Sequence, residues 1–147
     1  MNIFENVDTT ISKQQGNLGV ARAVYEYTKM GYTVLAPLSD SDKYDLVVDT
    51  GTVLLKVQVK TSRCPAKSGQ YNKTGWTVNL ATKGGNTSKN TVRRRQDGDY
   101  DLLFILTADD CCWSIPVGAL GDTRTSINVG ALGYGAKYNE YKITMAE

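Results

Sequence analysis

The sequence predicts a mixed α/β (α+β) fold, in which one helix is followed by strands that gather into a sheet, and three stretches carry that prediction. From Gly16 to Met30 apolar residues recur at intervals of three and four, the spacing of one helix face. From Lys56 to Lys60 the run KVQVK alternates polar with apolar, the period of a half-buried strand. From Tyr100 to Thr107, YDLLFILT is almost continuously apolar, which suits a central strand covered on both faces.

Taken in order, the first fifteen residues suggest a short helix with Ile3, Phe4 and Val7 on one side. The main helix is expected to start near Gly16, with Asn17 as a cap, Leu18, Ala21, Val24, Tyr25 and Thr28 in register, and Gly31 as the stop. Tyr32–Ala36 reads as a strand, and the polar stretch Pro37–Lys43 delivers the chain to Asp45. Tyr44–Ser62, YDLVVDTGTVLLKVQVKTS, then reads as a hairpin closed by Asp49-Thr50-Gly51. Beyond it, Arg63–Gly75 is a loop or flap and Trp76–Leu80 a strand. The segment from Thr82 to Asp99 lacks apolar periodicity and reads as the least ordered part of the chain. Cys111–Pro116 pairs back on the apolar strand, and the loop-rich remainder holds one short strand near Glu140–Thr144.

Composition narrows the functional classes. With 147 residues, 41% hydrophobic and 22% charged, the expectation is a single domain over residues 1–147 with one ordinary core. No apolar run has the length of a membrane span and no secretory leader opens the chain, so no membrane partner and an intracellular, cytoplasmic location are expected. Cys64, Cys111 and Cys112 are too few and badly spaced for a disulfide framework or a zinc site, and there is no histidine. Acid-base chemistry must therefore use Asp, Glu, Lys, Tyr or a metal-activated water.

Charge is segregated along the chain. Thr50–Gln96 contains no Asp or Glu but carries Lys56, Lys60, Arg63, Lys67, Lys73, Lys83, Lys89, Arg93, Arg94 and Arg95, whereas Asp97–Asp122 holds six Asp and no base. A positive surface suited to a polyanion is one expectation, and a solvated loop face is the other. In the hairpin, the strand period puts Gln58 and Lys60 on one face, with Asp45 close by across the turn. A carboxylate, an amide and an ammonium would converge there, although the same alternation also describes any solvated strand.

A Y-D-L-V-V strand, a short hairpin and then V-Q-V-K-T closing the next strand resemble the core of the PD-(D/E)XK nucleases. With Gln in place of the acid, the motif is most similar to the small homing endonucleases of group I introns, and archaeal Holliday-junction resolvases are a more distant likeness. The likeness spans Gly16–Pro116 in element order and Gly16–Ser62 in residues. It implies a restriction-endonuclease-like core, a central mixed β-sheet flanked by helices. It further implies a Mg²⁺-dependent, site-specific endonuclease acting on double-stranded DNA as a homo-oligomer, dimer or tetramer.

Asp45, Gln58 and Lys60 are then the catalytic residues. Asp45, the Gln58 side-chain oxygen and the Val59 carbonyl are the implied Mg²⁺ ligands, a set of hard oxygens, with Lys60 orienting or deprotonating the attacking water. Arg63, Lys83, Lys89, Arg93, Arg94 and Arg95 are the implied nucleic-acid contacts. One departure stands out: the family places a Glu on the first helix, where counting back from Gly31 gives Val20. Asn17, Gln15 or Gln14 could supply a neutral oxygen instead, while Glu26 lies on another helix face and Glu5 outside the helix. A DNA-binding module with a decayed core and a junction or repair nuclease are the alternative readings.

Overall fold

The computed structural model describes residues 1–8, 12–41, 43–66, 75–83, 92–130 and 134–144. Its elements are helix α1 (Ser12–Lys29) and strands β1 (Thr33–Leu35), β2 (Leu46–Asp49), β3 (Leu54–Ser62), β4 (Trp76–Asn79), β5 (Thr82–Lys83), β6 (Val92–Arg93), β7 (Leu102–Thr107), β8 (Cys112–Pro116), β9 (Ser126–Val129) and β10 (Lys142–Ile143). Six strands form one sheet in the order β1-β2-β3-β7-β8-β10. β3 and β7 run parallel and their neighbours are antiparallel, so the sheet is mixed, as expected. Among the described residues no helix is long and apolar enough to cross a membrane.

The hairpin forms where the sequence placed it. Leu46 faces Val57 and Asp49 faces Leu54, and the turn closes through Thr50 N–H on the Val53 carbonyl at 3.0 Å and Gly51 N–H on Asp49 Oδ1 at 2.8 Å. Gly51 sits at φ +92°, a conformation that costs glycine nothing. β7 is buried from Leu103 to Thr107, and β8 returns antiparallel against it.

The two sheet faces have different covers. Leu46, Val48, Val57, Val59, Phe104 and Leu106 pack with Ala23 and Tyr27 of α1 on the first. On the second, Leu103, Ile105, Trp113 and Ile115 pack with Val78 of β4 and with Ile127 and Val129 of β9; β4 and β9 pair antiparallel with each other. No residue of β2 or β3 belongs to that second cluster. Gln58 is in register with Leu103 and Lys60 with Ile105, so both point to the second face.

Several expectations require correction. α1 starts at Ser12, a turn before Gly16, and its inward face is Gly19, Ala23, Glu26 and Tyr27, whereas Val24 and Tyr25 are exposed. Close approach decides this. A Cβ on Gly19 would lie 2.6 Å from Thr61 Cγ2 and 3.1 Å from Val59 Cγ1, so the helix meets β3 through a small-residue stripe and not through its bulkiest apolar side chains. Glu26 is tolerated inside because Arg22 bridges it, at 2.9 Å, to Asp110 in the β7–β8 turn. Helix α1 and two 3-10 helices, Val117–Leu120 and Tyr134–Tyr141, accompany the sheet among the described residues, and β9 is a strand in a region read as loop. Residues 84–91, the centre of the segment read as least ordered, lie outside the described residues.

Candidate active site

The site arises from a mismatch in strand length. β3 runs on past the start of β2: Asp45 N–H still bonds the Val57 carbonyl at 2.8 Å, but no strand residue faces Val59 on that side. Buried main-chain groups need partners. Two side chains supply them. Asp45 Oδ2 accepts Val59 N–H at 2.9 Å, and Gln58 Nε2 donates to the Val59 carbonyl at 3.2 Å and to the same Asp45 Oδ2 at 2.8 Å. A carboxylate, an amide and a main-chain carbonyl are thereby drawn to one point.

Lys60 stands one pleat further along the same face. Burial lowers its pKa, and the Asp45 charge opposes that effect. Burial raises the Asp45 pKa, offset by the Val59 N–H and by Lys60. Burial thus pushes both groups toward their neutral forms, opposed at Asp45 by the Val59 N–H and then Lys60 and at Lys60 by Asp45, an arrangement expected where a proton is to be moved. Beside Asp45 lies a polar niche lined by Pro37, Ser39, Asp40, Ser41 and Tyr44. The polar loop residues that line it were visible in the sequence, but their closure on Asp45 was not.

The proposed oxygens suit a hard divalent cation: one anionic carboxylate, one amide oxygen and one carbonyl that no strand claims. Among the described residues no three Asp, Glu or Cys side chains gather as a metal-binding group; Asp45 is the one carboxylate of the proposed ligand set, and Asp40 lines the niche beside it. The helix adds no carboxylate. Val20 packs against the apolar cluster of the first sheet face, and Gln15, one turn before Gly19, donates from Nε2 to Thr61 Oγ1 at 2.8 Å, on the face of β3 opposite Lys60. Glu26 is occupied by Arg22.

The basic residues are dispersed. Arg63 is exposed just past β3, and Arg94 is exposed after β6. Arg93 grips both carboxylate oxygens of Asp99, at 3.0 and 2.9 Å, and this pairing pulls the Asp99 pKa down against the effect of its burial. Arg95, expected at the nucleic acid, is 3% exposed and donates to the Gly121 and Thr123 carbonyls at 2.9 Å. That expectation is corrected: the buried guanidinium turns inward and is spent on main-chain carbonyls. Lys83 pairs through its backbone with Val92, and Lys89 lies outside the described residues.

Comparison with known proteins agrees with this architecture. The structure is similar to that of a bacterial homing endonuclease, I-Ssp6803I, with a TM-score of 0.70 and 25% identity over 90% of this chain and 88% of that one. The sequence is 34% identical to Protein 5.3 of Escherichia phage T7 over 116 residues, 77% of this chain and 86% of the phage protein. Residues 10–135 match the PD-(D/E)XK endonuclease family, a span that takes in α1, the hairpin, β7, β8 and the Asp45–Lys60 cluster, and the chain belongs to that family.

Proposed function

We propose that the protein is a Mg²⁺-dependent, site-specific endonuclease that hydrolyses phosphodiester bonds of double-stranded DNA, acting in the manner of the homing enzymes. The observation that carries this reading is the convergence of Asp45, Gln58, the Val59 carbonyl and Lys60 at the end of β3 that runs past β2. A divalent ion bound there would relieve charge on the scissile phosphate and lower the pKa of the attacking water. Asp45, Gln58 and the Val59 carbonyl would hold it.

Lys60 does the remaining work. Its lowered pKa puts more of it in the neutral form, able to accept a proton, than a solvated lysine has, and its position beside Asp45 lets it orient a water toward phosphorus or, when charged, steady the charge that develops on the phosphate oxygens. Arg63 and Arg94, both exposed, are the arginines suited to phosphate contacts. One such centre cuts one strand, so a double-strand break calls for two copies of the chain.

The packed Val20 favours a second reading, a DNA-binding protein with a weakened centre, because it puts no carboxylate where the family has its helix Glu. Incubation of supercoiled duplex, four-way junction and single-stranded DNA with the protein in Mg²⁺ or EDTA separates the two. Mg²⁺-dependent nicking of duplex that Lys60→Ala loses supports the endonuclease. Tight binding with no cleavage of any substrate overturns it.

A further inference from the structure

The Gln58 amide is the one group at the site that gives protons to both neighbouring oxygens, Asp45 Oδ2 at 2.8 Å and the Val59 carbonyl at 3.2 Å. Both partners are acceptors, so chemistry dictates that the nitrogen, not the oxygen, faces them. An amide N–H₂ placed between a carboxylate and a carbonyl does what a cation does: it brings partial positive charge to two oxygens. We infer that Gln58 is an internal competitor for the divalent ion, which gains those two oxygens only when the amide turns over and presents Oε1. The inference rests on the cation site proposed above and adds to it a function for the glutamine itself.

The strand geometry explains why such a device belongs here. Val59 lies beyond the start of β2, and its carbonyl would otherwise be an unpaired buried acceptor on a residue only 8% exposed. A carboxylate at position 58 has no proton to give. It would face Asp45 and the Val59 carbonyl as a third acceptor and would depend on the ion to hold the end of the hairpin together. Glutamine makes the fold independent of the ion and weakens the site for it.

The test compares the whole wild-type chain with Gln58→Glu by thermal unfolding and calorimetric Mg²⁺ titration at pH 8. In EDTA, Gln58→Glu is expected to melt about 5–10 °C below wild type, from the loss of two hydrogen bonds and the added repulsion. Mg²⁺ is expected to raise its midpoint by more than it raises that of wild type, with affinity about tenfold tighter from the extra anion. Equal midpoints in EDTA overturn the inference. Equal shifts with Mg²⁺ overturn it while leaving the cation site intact, whereas no shift in either protein overturns the cation site itself. If Gln58→Glu does not fold, side-chain ¹⁵N–¹H spectra of wild type in EDTA decide: a Gln58 pair with slow solvent exchange supports the inference, and one exchanging as freely as an exposed glutamine overturns it.

Discussion

Two stretches stand out in the sequence by their polar residues, Asp45 to Lys60 and Arg93 to Arg95, and the fold treats them in opposite ways. The first is drawn together on one face, each side chain satisfying main-chain groups or another member of the set. The second is pulled apart. Arg93 turns to Asp99, Arg95 turns inward to the carbonyls of Gly121 and Thr123, and Arg94 stays exposed. Strand period accounts for the difference, because positions two apart in β3 must share a face, whereas three consecutive residues leaving a two-residue strand have directions chosen by whatever packs around them. Asp97–Asp122 is acid-rich in the sequence, and in the fold Asp99 answers a base from the block before it.

The largest effect should come from breaking the first stretch. Lys60→Ala is expected to slow cleavage by about 10²–10⁴-fold, the usual worth of a positioned proton-transfer group, while duplex affinity stays nearly unchanged. Single-turnover cleavage alongside a binding titration checks it. If cleavage continues at the parental rate, the contrast between the two stretches has no functional content.

Breaking the second stretch should cost stability in place of chemistry. Arg95→Ala strips the Gly121 and Thr123 carbonyls of their buried donor and should destabilise the fold by about 2–4 kcal/mol, read as a lowered urea midpoint. An unchanged midpoint would mean that the buried guanidinium contributes nothing.

Asp45 sharpens the comparison through pH. Its folded pKa is raised above the ordinary value of 3.8, so its protonated form favours the fold and that contribution is lost as pH climbs from about 3.8 through the folded value. Asp45→Asn keeps an acceptor for Val59 N–H and removes the charge. It should abolish cleavage yet melt no lower than the parent at pH 7, with the two proteins converging below pH 3.8. Cleavage by the parent should fall on acidification at a pH above the ordinary carboxylate range, because the ionised form is required. A clear loss of stability in Asp45→Asn at pH 7 would contradict this balance.

The smallest effect is expected at Arg94, the exposed member of its run. Arg94→Ala should leave the unfolding midpoint in place and flatten the salt dependence of duplex binding by about 0.9 in log–log slope, one phosphate contact. A lowered midpoint or an unchanged slope would erase the distinction from Arg95.

Local pattern and strand period are legible in the chain alone. The hairpin around Gly51, the shared face of Gln58 and Lys60, the apolar strand Leu102–Thr107 and its antiparallel partner follow from residue type and spacing, because side-chain direction in a strand is set by its neighbours in the chain. The inward face of α1 was not legible there, since Gly19 has no side chain to announce the close contact with Val59 and Thr61 that selects it. The same holds for the burial of Arg95 and for the pairing of β9 with β4. The orientation of the Gln58 amide belongs with them. It depends on β2 stopping short of Val59, a relation between two strands that no single stretch of sequence contains.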